Sequence, residues 1–462
     1  SFLASGWTSA CSLSIHLQPR AIMGGCTSSA AIAPLPSQRL SDLSKQSVLS
    51  GQSSILGKSS PRISQKLGQS FPPPQSKISP SLQRHCHQLR TEILLGAYGK
   101  IMLSEEDWGA IADFGERSIF EIMDDTGDKI QRYSLRSDTD VEMEKRPSFA
   151  EKTVNARGSL VDPNKSGIGF TCRKGLKPKS PNQDSWAILK FGDFSIYGVF
   201  DGHGRSGHHV SNFVKEALPK LILEHRSFRD EAFRTDEDMA KMLSAVYRRM
   251  QSMIAAATMM NRLEAHVSGC TTTLIIQDHV KRKLYVSWAG DSGACIGTKA
   301  GSIAHAIPLT WDHKPEVEEE RIRVESAGGE VCFDGYKCHR VYAKGDRSPG
   351  LNMTRALGDL IGHTDAGLSA EPTVVVYDIK PEDHVLLICS DGVWEHIMYD
   401  EAVTIVSKFP PSSAMVAAEN LAKQGWDRWL TNAGGQVVDD ITALVIYLDP
   451  SREVCMDTIV RT

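Results

Sequence analysis

The residues Val199 to His209 read VFDGHGRSGHH and set an Asp, a His and the glycines Gly202, Gly204 and Gly207 within one short run. Just before Asp201 stands FSIYG, whose β-branched and aromatic residues predict a buried strand, so the acid falls where a strand gives way to a loop. Sites are commonly built at such junctions. The carboxylate of Asp201 is a hard oxygen donor, and Gly202 has no Cβ to keep a ligand from its carbonyl oxygen. Donors of this kind suit magnesium, manganese or calcium better than zinc, with the imidazole of His203 as a proton donor instead of a ligand. The same string also fits a Gly-rich turn closed by an Asx hydrogen bond, with a solvated His.

Further apolar segments end in or begin with acids. KLYVSWAGDSGACIG carries Asp291 in a turn, DHVLLICSDGVWEHI runs into Asp391, VVDDITALVIYL opens with Asp439 and Asp440, and SPNQDSWAIL opens with Gln183 and Asp184. One Asp at a strand end is ordinarily a cap or turn residue; its recurrence, each time beside Gly or a second acid, points to convergence. Carboxylates gathered in one small volume would repel one another and rise in pKa unless cations compensate. Two divalent ions roughly 4 Å apart, bridged by one Asp, would do so. They would bring a bound water from a pKa of about 16 towards neutrality and polarise a phosphoryl group, whose uncatalysed hydrolysis has a very high barrier.

The elements that must position these acids follow from periodicity. Strand-like runs cluster before Asp201, between Thr271 and Gly297, and at the end of the globular region. Between them fall two long helical patterns, GHHVSNFVKEALPKLILEHR and DEDMAKMLSAVYRRMQSMIAAATMMNRL. The methionines of the second, Met239 to Met260, are expected to fill the core.

From roughly Gly167 to Leu448 the chain resembles the metal-dependent protein phosphatases of the protein phosphatase 2C type. NQDSW, FDGHG, SGCTTTLI, WAGDSGACI, TWDHKP, EEERIRVESAGGEV, MTRALGD, EPTVVV, CSDGVWE and DDITALVI follow in family order. The resemblance implies an α+β fold, an αββα sandwich of two antiparallel sheets flanked by helices, with the metals at one edge. It implies Mn2+ or Mg2+, two ions with a third at a weaker site. Asp201 would bridge the two metals, Gly202 would add its carbonyl, Asp391 and Asp439 would complete the first ion's sphere, and Asp291 with Asp391 would form the third site. His203 would be the general acid, a role suited to its ordinary pKa near 6.5. Asp184 would join the catalytic set, and the phosphate-binding cation would be Lys179, with Arg173 as rival.

Three departures from the family pattern bear on the site, and the first is that Lys179 aligns with the phosphate-binding Arg of many members. Gln183 replaces a common Glu, brings no charge, and would reach a metal-bound water only by hydrogen bonding. Glu395, in DGVWE, replaces a common Asp at a position that serves the third metal. The implied activity is hydrolysis of phosphoserine and phosphothreonine in proteins by a metal-activated water. The alternative is a membrane-tethered pseudophosphatase scaffold, which the filled Asp positions oppose. Phosphoproteins are the expected partners of a monomer, and no nucleic-acid-binding pattern is present.

The chain has 462 residues, 41% hydrophobic and 23% charged, with a net charge of −4. Residues 27 to 90 are rich in Ser, Gln, Pro and Lys and hold few large apolar groups, too few to offset chain entropy, which predicts disorder. From Met23 to Lys100 nine Lys or Arg face only Asp42 and Glu92, a local excess of +7. Met23 opens MGGCTSS. A start there would expose Gly24 for myristoylation and leave Cys26 for palmitoylation, two signals that with the basic arm hold a protein at a cytoplasmic membrane face. The competing reading is a chance MG within an unstructured leader. The SFLASGWTSACSLSIHL segment lacks the basic start and unbroken apolar core of a secretory signal.

The resulting division is a leader over 1–22, a disordered basic arm with a short helix over 23–155, a catalytic domain over 156–450 and a tail over 451–462. The short helix is expected after Ser104 in SEEDWGAIADFGERSIFEIMDD, whereas DDTGD is no calcium loop because Lys129 stands where that loop needs Gly. Ten cysteines at irregular spacings read as reduced, mostly buried thiols of a cytoplasmic protein, and Cys332, Cys338 and His339 lack the second pair that zinc requires. Ser134 and Ser148 each follow an Arg by two residues, a spacing that basophilic kinases read.

Overall fold

A computed structural model describes residues 132–138, 147–158, 163–177, 180–300, 303–432 and 434–448. Two antiparallel sheets carry the fold. The first orders its strands Thr373–Asp378, Lys283–Ala289, Thr272–Asp278, Phe194–Phe200, Ser185–Phe191, Tyr133–Ser137 and Val154–Gly158. The second runs Ile303–Pro308, Gly293–Ala300, Asp383–Cys389, Ile441–Tyr447 and Ile168–Arg173.

Alternation along the strands separates three apolar layers. Trp186 and Ile188 point between the sheets with Tyr197, Val286 and Trp288, against Ala294, Ile296, Ile388 and Leu444 from the second sheet. Their neighbours Ala187 and Leu189 point outward, onto the helices Gly207–Glu224 and Asp236–Met259. On the other outer face, Val385, Leu387, Ala443 and Val445 pack against Val403, Ala418 and Leu421 from the helices Tyr399–Val406 and Ala414–Asn432. The expected αββα sandwich is therefore present, and Met239, Met242, Met250 and Met253 are core residues.

One boundary differs from expectation. The strand Tyr133–Ser137 pairs with both Ser185–Phe191 and Val154–Gly158, so the first sheet begins before residue 156 and the expected boundary would cut a strand. Tyr133 and Leu135 enter the core between the sheets, while the buried ammonium of Lys215 donates to the carbonyl of Ser137 at 2.6 Å. The alternation is short and set among charged residues, which hid it in the sequence. Ser134 lies inside this strand at 1% exposure, out of reach of a kinase while the strand stays paired. The remaining expectations for the arm, including Met23, Gly24, Cys26 and the helix after Ser104, lie outside the described residues. The described cysteines are free thiols, with Cys172, Cys270, Cys295 and Cys389 buried.

Candidate active site

Strand register brings the acids together. Ser185, first of its strand, pairs with Phe200, last of its own, so Asp184 and Asp201 flank the same sheet end. Thr272 pairs with Ala289, Gly293 with Cys389 and Cys389 with Ala443, which bring Asp291, Asp391 and Asp439 to the matching end of the sandwich. Asp184 ties the two sheets: its Oδ2 accepts from Ser390 Oγ at 2.8 Å and Thr442 Oγ1 at 2.7 Å. Asp201 is fixed through its backbone, where its carbonyl accepts from the Thr271 N–H at 2.8 Å.

Electrostatics confirm the crowding. Burial first, then Asp184, Asp391, Asp439 and Asp291, push the Asp201 carboxyl well above the usual carboxylate range. Burial and then Asp439 and Asp291 do the same to Asp391. Burial raises Asp184 as well, against the two hydroxyls that favour its charge. Asp184 Oδ1 and Asp291 Oδ1 are buried without a hydrogen-bond partner. Buried, mutually repelling carboxylates with orphaned oxygens are a hard-donor set that a divalent cation would satisfy. The residues therefore fit magnesium or manganese. Among the described residues no group of three or more His, Cys, Asp or Glu side chains stands close enough together, as the side chains are placed, to hold a metal ion. Lys177 is ion-paired with Asp439, and Lys314 with Asp291, so two of the carboxylates carry ammonium partners.

Of the two acids that precede the last strand, Asp439 acts on Asp201 and Asp391. Asp440 is structural: its oxygens accept from the N–H groups of Gly175 at 2.7 Å and Gln183 at 2.9 Å, and burial raises its pKa to about 7. The side-chain nitrogen of Gln183 donates to the Gly204 carbonyl at 2.7 Å. Glu395 likewise has its carboxylate paired with Lys337. Gly202 is required by protein packing: a Cβ there would stand 2.5 Å from the Gly207 carbonyl oxygen.

Of the two basic residues expected to meet the phosphate, the structure bears on Arg173 alone. Lys179 lies outside the described residues. Arg173 points away, held by Glu151 at 2.9 Å and by Glu419. The structure instead brings Lys177 to the cluster. Gly175 packs directly on the Val438–Asp439 backbone, and the Leu176 N–H donates to the Val438 carbonyl at 2.8 Å, so the next side chain projects across Asp439. Burial opposes its charge, yet Asp439, Asp440 and Asp201 hold the Lys177 ammonium above its ordinary range. Spacing within RKGLKPK could not choose among its lysines. Lys314 stood in the quoted motif TWDHKP with no role assigned.

His203 follows directly on the cluster. Its Nε2 lies 2.6 Å from Asp359 Oδ2, and Nδ1 is buried without a partner. Burial disfavours the imidazolium, but the charge and hydrogen bond of Asp359 outweigh it and raise the pKa.

The sequence model of protein phosphatase 2C matches residues 181–433, more than half of the chain. The chain belongs to the protein phosphatase 2C family. It is 32% identical over 326 residues to a probable protein phosphatase 2C 48 of Oryza sativa subsp. japonica, covering 64% of this chain and 88% of the relative. It is 31% identical to a probable protein phosphatase 2C 73 of Arabidopsis thaliana, covering 59% of this chain and 77% of that one. The fold is similar to serine-threonine phosphatase 2C from Toxoplasma gondii, with a TM-score of 0.53 and 19% identity over 61% of this chain and 94% of that chain. As a member of the protein phosphatase 2C family, the protein is a serine/threonine protein phosphatase whose activity depends on divalent metal.

Proposed function

We propose that the chain hydrolyses phosphoserine and phosphothreonine monoesters at a two-cation site formed by Asp201, the Gly202 carbonyl, Asp391 and Asp439, with Asp291 and Asp391 serving a weaker third ion. The observation that carries this reading is the convergence of these acids at one sandwich edge, where burial and the neighbouring carboxylates raise the pKa of Asp201 and of Asp391. Bound there, Mg2+ or Mn2+ would supply Lewis acidity and an activated water. The chain's own groups supply the rest. Asp184 locks the two sheets together beneath the cluster. Lys177, at the same edge, is the ammonium best placed to meet a phosphate, which it would hold as a point charge without a guanidinium's bidentate fork. His203 donates the proton to the departing Ser or Thr oxygen.

The direct test is phosphate release from a phosphothreonine peptide with and without chelator, and with Mg2+, Mn2+ or Ca2+ restored. Activity returning with the first two and not with Ca2+ supports the reading, and full activity in chelator overturns it. The filled acidic positions weigh against a pseudophosphatase scaffold. Attachment to a membrane through Gly24 and Cys26 remains part of the proposal. Among the described residues no helix is long and apolar enough to cross a membrane.

A further inference from the structure

We propose that Asp359, the last residue of MTRALGD, is the positioning residue of the acid catalyst: it fixes the ring of His203 so that Nδ1 is the nitrogen that serves the leaving oxygen. The inference rests on the reading of His203 as the general acid and adds a residue to which the sequence assigned no role.

A small sheet exists around this pair. The strands Gly202–His203, Gly269–Cys270 and Leu357–Gly358 pair in the order Leu357–Gly358, Gly269–Cys270, Gly202–His203, with His203 opposite Gly269 and Gly269 opposite Gly358. Strands this short bury little apolar surface, so their pairing sets position more than stability. The carboxylate of Asp359 lies directly over Gly269, where a Cβ would stand 2.1 Å from Oδ2. Only glycine leaves room for the carboxylate to reach the imidazole.

Asp359 itself is held firmly. It adopts the left-handed region, φ 44° and ψ 51°, which is uncommon outside glycine. Its N–H donates to the Ser268 carbonyl at 2.9 Å. The preceding Gly358 is gripped on both sides by Gln251 from the long helix Asp236–Met259, which accepts from the Gly358 N–H at 2.7 Å and donates to its carbonyl at 2.8 Å. Asp359 stands before the helix Leu360–Asp365 but makes no side-chain cap, so helix capping does not explain the acid. The residue is 0% exposed, and the hydrogen bond to His203 is the contact its carboxylate makes. A buried carboxylate oriented by its surroundings and paired with one imidazole nitrogen fixes both the ring's rotation and its tautomer. With Nε2–H donated to Asp359, it is Nδ1–H of the imidazolium that gives its proton to the leaving oxygen, leaving a neutral ring protonated on Nε2, and Nδ1 is the ring atom without a partner.

The test compares the Mg2+-loaded wild type, Asp359→Asn, His203→Gln and the double variant on a phosphothreonine peptide and on p-nitrophenyl phosphate. The first has a poor leaving group and needs the proton; the second does not. A general acid contributes about 100- to 10,000-fold, so loss of its positioning should lower kcat on the peptide by about 10- to 100-fold, with KM and the aryl phosphate little changed. The double variant should be no slower than His203→Gln alone. Equal losses on both substrates for Asp359→Asn, or losses additive with His203→Gln, would overturn the positioning role alone. Equal losses for His203→Gln would remove the acid reading and this proposal with it. Should Asp359→Asn fail to fold, the wild type decides: long-range 1H–15N spectra of labelled histidine should show the His203 proton on Nε2, and a ring with Nε2 bare refutes the inference.

Discussion

Two lysines occupy oxygens that a cation would need, and their removal has a calculable effect. Lys314 is 26% exposed and its partner Asp291 is 2% exposed, whereas Lys177 and Asp439 are each 31% exposed. A partly exposed pair contributes up to about 1 kcal/mol, and removing one partner of a buried pair costs about 3–5 kcal/mol. Lys314–Asp291 lies between these limits, at about 2 kcal/mol. An ammonium and a divalent ion compete for the same carboxylate, so breaking the pair is a penalty on cation binding that Met, with a stem of similar length and no charge, would remove. At about 1.4 kcal/mol per tenfold, Lys314→Met should tighten Mg2+ binding about 30-fold and Lys177→Met about 5-fold. The metal-free Lys314→Met protein should also melt about 3 °C lower, because Asp291 is left buried and uncompensated, and Mg2+ should restore the loss. Calorimetric titration of metal-free protein with Mg2+, together with melting curves with and without the ion, reads both effects. Affinity that is unchanged or weaker in Lys314→Met, with an unchanged metal-free melt, would refute the competition.

Asp201→Asn should abolish phosphopeptide hydrolysis while raising the metal-free melting temperature at pH 8, since the carboxylate it replaces is held above its ordinary pKa and repels its neighbours; a lower melt would contradict the crowding argument. Glu320 accepts from Thr354, Arg323 and Arg355, and despite its burial these bring its pKa down to about 2. Its contribution to stability is therefore full above the ordinary Glu pKa and is lost as pH falls through about 2. Glu320→Gln should cost about 3 kcal/mol near neutrality and flatten the acid limb of a circular-dichroism melt between pH 4.5 and 2, and a limb as steep as wild type would count against the network. Expressed from Met23 with a C-terminal fluorescent tag, the protein should mark membranes; Gly24→Ala should release it and Cys26→Ser should leave an exchanging fraction, with peptide hydrolysis unchanged in both. An N-terminal peptide that retains Ala21 and Ile22 would end the acylation reading.

The sequence by itself determined the layers and the acids. Continuous apolar runs in SWAILKF and DHVLLIC, and helical spacing in the segments between the strand-like runs, specify strands buried on both faces with helices over them, and that is local information. The position of each Asp at a strand end is local too, so Asp184, Asp201, Asp291, Asp391 and Asp439 could be named before any strand was paired. What only the tertiary structure decided is which groups meet them. Lys177 reaches Asp439 because Gly175 packs on the backbone of Val438 and Asp439, a contact between residues more than two hundred and fifty positions apart in the chain. Gln183 turns to the Gly204 carbonyl, and Arg173 to Glu151 and Glu419, because those partners are presented by other elements. Asp359 reaches His203 across 156 residues of chain, through a small sheet of glycines too short to leave a periodic signal. A long side chain's direction depends on close approaches between backbones remote in sequence, and spacing along one segment carries no record of them.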